Sequence, residues 1–259
     1  GIRGASHDAE RDFGFKIRAT AFCSSEQEGL SMSTIEITRG ERGFIVTGAC
    51  VDIEFLILGM IQNNTYFISD GKGLMVVDPS ADVNRILALI GDRKLDAIIC
   101  THHHSDHVGA LKELKEATGA CVYASAIDTP VIENQPVPDF GPLVASCKVD
   151  KTLNDGDTVT VGNMKWKVIA TPGHTPGGIC LFLDSEYGEY IERANVLISG
   201  DTLFAGSIGR TDFEGGNDAQ MRKSLKRLSQ LPDDTLVLPG HNSLTTIGDE
   251  QRRVFRYFC

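Results

Sequence analysis

Residues 101–107 read Thr-His-His-His-Ser-Asp-His, which gathers four imidazole or carboxylate groups, His102, His104, Asp106 and His107, into six positions. Donors of this kind suit zinc, iron or manganese, and the cluster by itself does not choose among them. On an extended backbone His102 and His104 fall on one side, with Asp106 and His107 just beyond, and His103 points the other way and is read as a non-ligand. The plain alternative is a surface histidine tract or a tag fragment. The run is bracketed instead by a buried-looking strand, Leu95 to Cys100, and by an amphipathic helix marked by Val108, Leu111, Leu114 and Ala117 and ended by Gly119.

Two further histidines share a context. His174 follows Pro172-Gly173 and His241 follows Pro239-Gly240, each after a strand, and glycine lets the backbone turn so that the next side chain points inward. Of the seven histidines only His7 and His103 lie outside these contexts. Asp201, in Ser199-Gly200-Asp201-Thr202, read alone is a helix or turn cap. Read with the histidines, it is the carboxylate that two neighbouring cations need to offset their repulsion. Asp78, in Val77-Asp78-Pro79, is read as a group that orients a ligand histidine.

The elements that must position these residues are short apolar runs alternating with helical patterns. Strands are expected at Phe55–Leu58, Thr65–Ile68, Leu74–Val77, Thr158–Val161, Trp166–Ile169, Ile179–Phe182, Val196–Ile198 and Leu236–Leu238. Helices are expected through Val83, Ile86, Leu87 and Ile90, and through Met221, Leu225, Leu228 and Leu231. Two strand groups flanked by helices fit an α/β (α+β) chain with two sheets packed face to face and helices outside. Residues 1–43 are read as an extension and 44–259 as the domain. Gly1 is consistent with the scar of a cleaved tag and Met32 with an internal start.

At 259 residues and 41% hydrophobic content the chain suffices for one substantial domain. A formal net charge of -10 argues against nucleic acid or an anionic membrane as partner. The seven cysteines, Cys23, Cys50, Cys100, Cys121, Cys147, Cys180 and Cys259, are scattered and form no C-x-x-C pair, a pattern suited to reduced thiols. With no apolar stretch long enough for a membrane span and no secretory signal pattern, the reading is a soluble, cytoplasmic protein.

The motif His102-x-His104-x-Asp106-His107, followed in order by His174, Asp201 and His241, resembles the metallo-β-lactamase superfamily over about Phe55 to His241. That resemblance implies a four-layered αββα sandwich. The stretches Gly200 to Phe213 and Thr171 to Gly177 look like the short glyoxalase II-like hydrolases. By this resemblance His102, His104 and His174 hold one divalent metal, Asp106, His107 and His241 a second, and Asp201 bridges them. Zinc is the expected ion, with iron or manganese as alternatives. Asp106 and Asp201 are the expected catalytic carboxylates. The implied reaction is hydrolysis of a small thioester such as S-lactoylglutathione. True β-lactamases depart from the pattern, so that activity is not expected.

Only eighteen residues follow His241, which leaves no room for the C-terminal helical region that helps long glyoxalase II enzymes hold glutathione. Arg210 and Lys151 are candidates for anion docking, against the plain reading of solvated surface cations. The rival is a persulfide dioxygenase, which Gly209 to Phe213 also resembles. It would hold one iron on His102, His174 and Asp201. Asn242 after His241 fits the hydrolases better, since the dioxygenases usually carry aspartate there. A non-catalytic metal protein is the third reading, disfavoured because all seven ligand positions are filled.

Overall fold

Strand periodicity decides which side chains meet. In Met164–Ala170 the residues Met164, Trp166 and Val168 are buried while Lys165 and Lys167 are exposed, as one buried face requires. By contrast Leu74–Val77 is buried at every position, because both faces of that strand are covered. The computed structural model describes residues 35–134, 144–184 and 194–259. His7, Cys23, Gly1 and Met32 lie outside the described residues.

The first sheet runs β1 (Glu36–Arg39), β2 (Phe44–Thr47), β3 (Asp52–Leu58), β4 (Asn63–Ser69), β5 (Leu74–Val77), β6 (Ala97–Ile99), β7 (Cys121–Ser125) and β8 (Lys151–Leu153), paired in that order. The β1–β5 pairings are antiparallel. From β5 to β8 the pairings are parallel, so helices must carry the chain back: α1 (Val83–Ile90), then α2 (Ser105–Val108) with α3 (Leu111–Thr118), then α4 (Thr129–Asn134). The second sheet contains β9 (Thr158–Val161), β10 (Met164–Ala170), β11 (Ile179–Leu183) and β12 (Val196–Gly200). A small hairpin of β13 (Leu203–Phe204) and β14 (Ser207–Ile208) leads to α5 (Asp218–Leu228). After it come β15 (Leu236–Pro239), parallel to β12, and β16 (Thr245–Thr246). The chain ends in α6 (Ile247–Glu250), a π-helical turn over Gln251–Phe255, and α7 (Arg256–Phe258).

Three apolar clusters define four layers. Phe55, Tyr66, Met75 and Ile99 of the first sheet pack against Trp166, Val168, Leu181 and Ile198 of the second. Outside the first sheet, Val76 and Ile98 meet Ile86 of α1 and Leu111 and Leu114 of α3. Outside the second, Leu197 and Val237 meet Met221, Leu225 and Leu228 of α5. Each fully buried Leu, Ile or Phe contributes about 1.5–3 kcal/mol relative to exposure, which is what holds the layers together. This is the expected αββα arrangement.

The structure departs from the sequence reading in several places. The helix expected from Val108 to Ala117 is two pieces, α2 and α3. The break falls at Gly109 and Ala110 because Ala110 N–H donates 2.9 Å to the Pro79 carbonyl instead of continuing the helical ladder. Glycine is required there, since a Cβ would lie 2.0 Å from the Ser80 carbonyl oxygen. Leu231 lies beyond α5, which stops at Leu228. β1 falls inside the segment read as an extension: it is four residues long and largely exposed, too short to show a period. Among the described residues no disulfide forms, and no described helix is long and apolar enough to cross a membrane.

Candidate metal centre

The buried β6 ends where the histidine run begins, so the sheet itself aims the ligands. Thr101, the second residue past the strand, donates its N–H to Asp78 Oδ1 and its hydroxyl to Asp78 Oδ2, both at 2.7 Å. With its proton committed, the Thr101 oxygen can accept from His102 Nδ1 at 3.1 Å, which turns His102 Nε2 toward the interior. His104 stands in extended conformation at the start of α2, and α2 presents Asp106 and His107. Asp78 Oδ2 also accepts from His107 Nδ1 at 2.8 Å.

The remaining ligands arrive from the second sheet. Gly173 has φ +148°, and a Cβ there would lie 2.5 Å from Met221 Cα, so the close approach to α5 needs glycine. His174 then donates Nδ1–H to the Arg210 carbonyl at 2.7 Å. Gly240 serves differently from the turn expected of it. Its backbone is not left-handed, but a Cβ would fall 2.3 Å from Asp201 Oδ1 and 2.6 Å from His107 Cε1. It makes room rather than a bend. The end of β15 is held from the opposite sheet, where Asn64 Nδ2 and the Tyr66 hydroxyl donate to the Pro239 carbonyl at 3.0 and 2.8 Å. His241 Nδ1 lies 3.1 Å from the Ile61 carbonyl.

These loops bring all seven expected ligands together. One nitrogen each of His102, His104 and His174 lie within 4.8 Å of one another, and so do ligand atoms of Asp106, His107 and His241. Asp201 stands between the two sets: Oδ1 is 3.3 Å from His107 Nε2, and Oδ2 is 3.5 Å from both His174 Nε2 and His241 Nε2. Asp78 also falls near His102 and His107, but its oxygens are committed to Thr101 and His107. The buried Nε2 atoms of His102 and His174 have no hydrogen-bond partner in the protein. An orphaned buried nitrogen is costly, and facing carboxylates it fits a divalent cation.

The sequence pattern of the metallo-β-lactamase superfamily matches residues 58–241, which span β4 through His241. The chain belongs to the metallo-β-lactamase superfamily. Hydroxyacylglutathione hydrolase GloC of Haemophilus influenzae is 33% identical over 78% of this chain and 96% of its own. Among solved structures, the BLEG-1 B3 metallo-β-lactamase superposes with a TM-score of 0.70 at 31% identity, covering 78% of this chain and 98% of its own. TTHA1623 in a di-iron-bound form superposes with a TM-score of 0.66 at 35% identity, covering 76% and 96%. As a superfamily member the chain is a metal-dependent hydrolase, and its clustered His and Asp residues could hold a divalent metal.

Charge differs between the two ligand sets of this superfamily site. Burial, reinforced by the neighbouring histidines, holds His102 well below the usual imidazole value and His104 at about 3. Burial also lowers His174, partly offset by Asp201. His107 goes the other way: burial opposes its charge, but Asp201, Asp106 and Asp78 raise it well above the usual value. His241 is likewise raised against burial, by its bond to Asp106 and by Asp201. In the metal-free protein the histidines of the first set are therefore neutral near neutrality, each with one ring nitrogen bare, while the second set carries extra protons that a cation must displace. Lowering the pH from about 7.5 to about 6 is expected to weaken metal uptake at the Asp106/His107/His241 set more than at the other. Calorimetric metal titrations at several pH values measure this; parallel slopes at both sets would refute it.

His104, Asp106, His174, Asp201 and His241 line a cleft of about 660 Å³, walled by Ile61, Phe204, Ile208, Arg210 and Phe213. Arg210 does line it, but its guanidinium is bound to both oxygens of Asp212 at 2.7 Å and stacks 3.8 Å over the Phe213 ring. Lys151 does not line the cleft; it sits on β8 with its ammonium 3.2 Å from the Tyr123 hydroxyl. Two buried residues at the site escape sequence reading. Asn63 places its amide nitrogen 3.0 Å from His107 Nδ1, and Asp128 sits beneath the histidine run. Neither has the spacing or flanking glycine that marked the ligands. Gly240→Ala is expected to empty the His107 side of the site and to reduce metal affinity there at least ~10-fold. Metal counting on the folded variant checks it, and wild-type content would contradict the steric reading of this position.

Proposed function

We propose that the chain hydrolyses small thioesters, with S-lactoylglutathione as the first substrate to try, using two divalent metal ions. Zinc, iron and manganese all match the donor set. The observation that carries this reading is the convergence of both three-ligand sets around Asp201, with His104, Asp106, His174, Asp201 and His241 open to one cleft. The similarity to GloC, a hydroxyacylglutathione hydrolase, supports the substrate class. Two bound cations would supply an activated water and a polarised carbonyl. Asp78, the Ile61 carbonyl and the Arg210 carbonyl fix the ring orientations of His107, His241 and His174, so each presents Nε2 to the site. The apolar walls of Phe204, Ile208 and Phe213 limit water around the acyl group. Among the described residues no cysteine lines the cleft, and a thiol with a pKa of about 8.5 leaves as thiolate with little need of a general acid.

The test follows thiol release from a thioester panel, with a β-lactam and glutathione persulfide as comparison substrates. Wild-type turnover of at least one thioester is expected, with a loss of roughly 10²-fold or more in Asp106→Ala and His107→Ala. Turnover of only the β-lactam, or oxygen uptake on only the persulfide, would overturn the reading. Retained thioester turnover in both variants would remove the second ligand set from the mechanism.

A further inference from the structure

His103 is the member of the histidine run that neither ligand set uses, yet its surroundings are built. Its ring stands edge-on to that of His104 with centroids 5.0 Å apart, and its Nδ1 lies 3.0 Å from Asp128 Oδ2. Asp128 is 2% exposed. The same Oδ2 accepts the His103 backbone N–H at 3.1 Å and the Thr175 hydroxyl at 3.1 Å. One carboxylate oxygen therefore grips the residue between ligands His102 and His104 and the residue that follows ligand His174. The first loop leaves the first sheet and the other belongs to the second, so the grip crosses the sandwich at the site. Asp128 is itself anchored: its N–H donates to Ser125 Oγ at 3.1 Å at the end of β7. The chain closes over it at Gly177, where a Cβ would lie 2.1 Å from Asp128 Oδ1.

We propose that Asp128, acting through His103 and Thr175, is a positioning residue that sets the spacing of His102, His104 and His174, and through it the affinity and geometry of that metal site. The proposal rests on those three histidines sharing one metal. Charge-assisted bonds are roughly twice as strong as neutral ones, and a buried carboxylate shared by two loops fixes their separation. The residues that Asp128 holds, His103 and Thr175, are immediate chain neighbours of His102, His104 and His174 and of none of Asp106, His107 and His241, so its loss acts unequally on the two sites.

The test is cobalt(II) titration of chelator-stripped protein, reading affinity at each site and the visible absorption of cobalt, which reports coordination geometry. Asp106→Ala marks loss of the other site. Asp128→Ala is expected to keep its circular dichroism, to retain the Asp106/His107/His241 site, and to bind cobalt about 10–100-fold more weakly at the histidine triad with altered bands. Asp128→Asn is expected to recover part of that loss, because an amide oxygen can still accept the His103 N–H. Should Asp128→Ala not fold, Thr175→Val removes a single donor and is expected to shift the same bands. Folded variants with wild-type affinity and spectrum would overturn the proposal. Wild-type protein that takes up no cobalt would instead overturn the metal-site reading on which it rests.

Discussion

Asp201→Ala is expected to lower kcat/KM on a thioester by roughly 10²–10³-fold, the scale seen when one charge-stabilising group is taken from a buried site. Its two oxygens face both ligand sets, Oδ1 toward His107 and Oδ2 toward His174 and His241. No other described carboxylate stands between them in this way. Burial alone would raise its carboxyl pKa, yet His107, His241 and His174 hold it below the usual value. The group is thus ionised throughout the neutral range and stays so without a metal. Removing it leaves His107 with fewer anionic neighbours and leaves two cations without a shared counter-charge. Metal per chain should fall along with turnover. A variant that keeps both metals and full turnover would show that Asp201 is a turn cap and nothing more.

Asp78 carries the second large effect, and here fold and site separate. Asp78→Ala strips acceptors from Thr101 N–H, Thr101 hydroxyl and His107 Nδ1 at once. Removing one partner of a buried charged network costs about 3–5 kcal/mol. Alanine also fits poorly at φ +50°, a conformation that asparagine tolerates. Asp78→Asn is therefore expected to stay folded with a smaller loss in urea midpoint. It should still lose metal affinity at the His107 side by about 10–100-fold, because an amide has a single acceptor atom: with its oxygen facing the Thr101 hydroxyl and His107 Nδ1, its NH2 opposes the Thr101 N–H, and turned over it opposes the two side-chain donors. Denaturation paired with metal titration on both variants checks this. Equal destabilisation with unchanged metal affinity would make Asp78 purely structural.

How much of this could be read from sequence follows from distance along the chain. His102, His104, Asp106 and His107 lie in one loop, so their spacing alone announced them. His174 and His241 announced themselves through Pro-Gly, although the structure gives Gly240 a steric task in place of a turn. Asp201 needed the others to be recognised. Asp128 and Asn63 were illegible because their roles depend on which loop lies across the sandwich, and no local pattern records that. The long buried strands were readable from apolar runs. β1, β7 and β8 were not, being three to five residues long with mixed exposure. The break between α2 and α3 turns on one backbone bond, Ala110 to Pro79, made possible by a glycine. Lys151 offers the sequence only its charge, and charge without a position does not place a residue in a cleft.

The most direct test of two metal ions held by His102, His104, His174, Asp106, His107, His241 and Asp201 is elemental analysis of protein purified without chelator or affinity-metal exposure. Close to two moles of metal per chain, zinc or a mixture with iron or manganese, is the expected result. Close to one mole of iron and nothing else would contradict it and favour the dioxygenase.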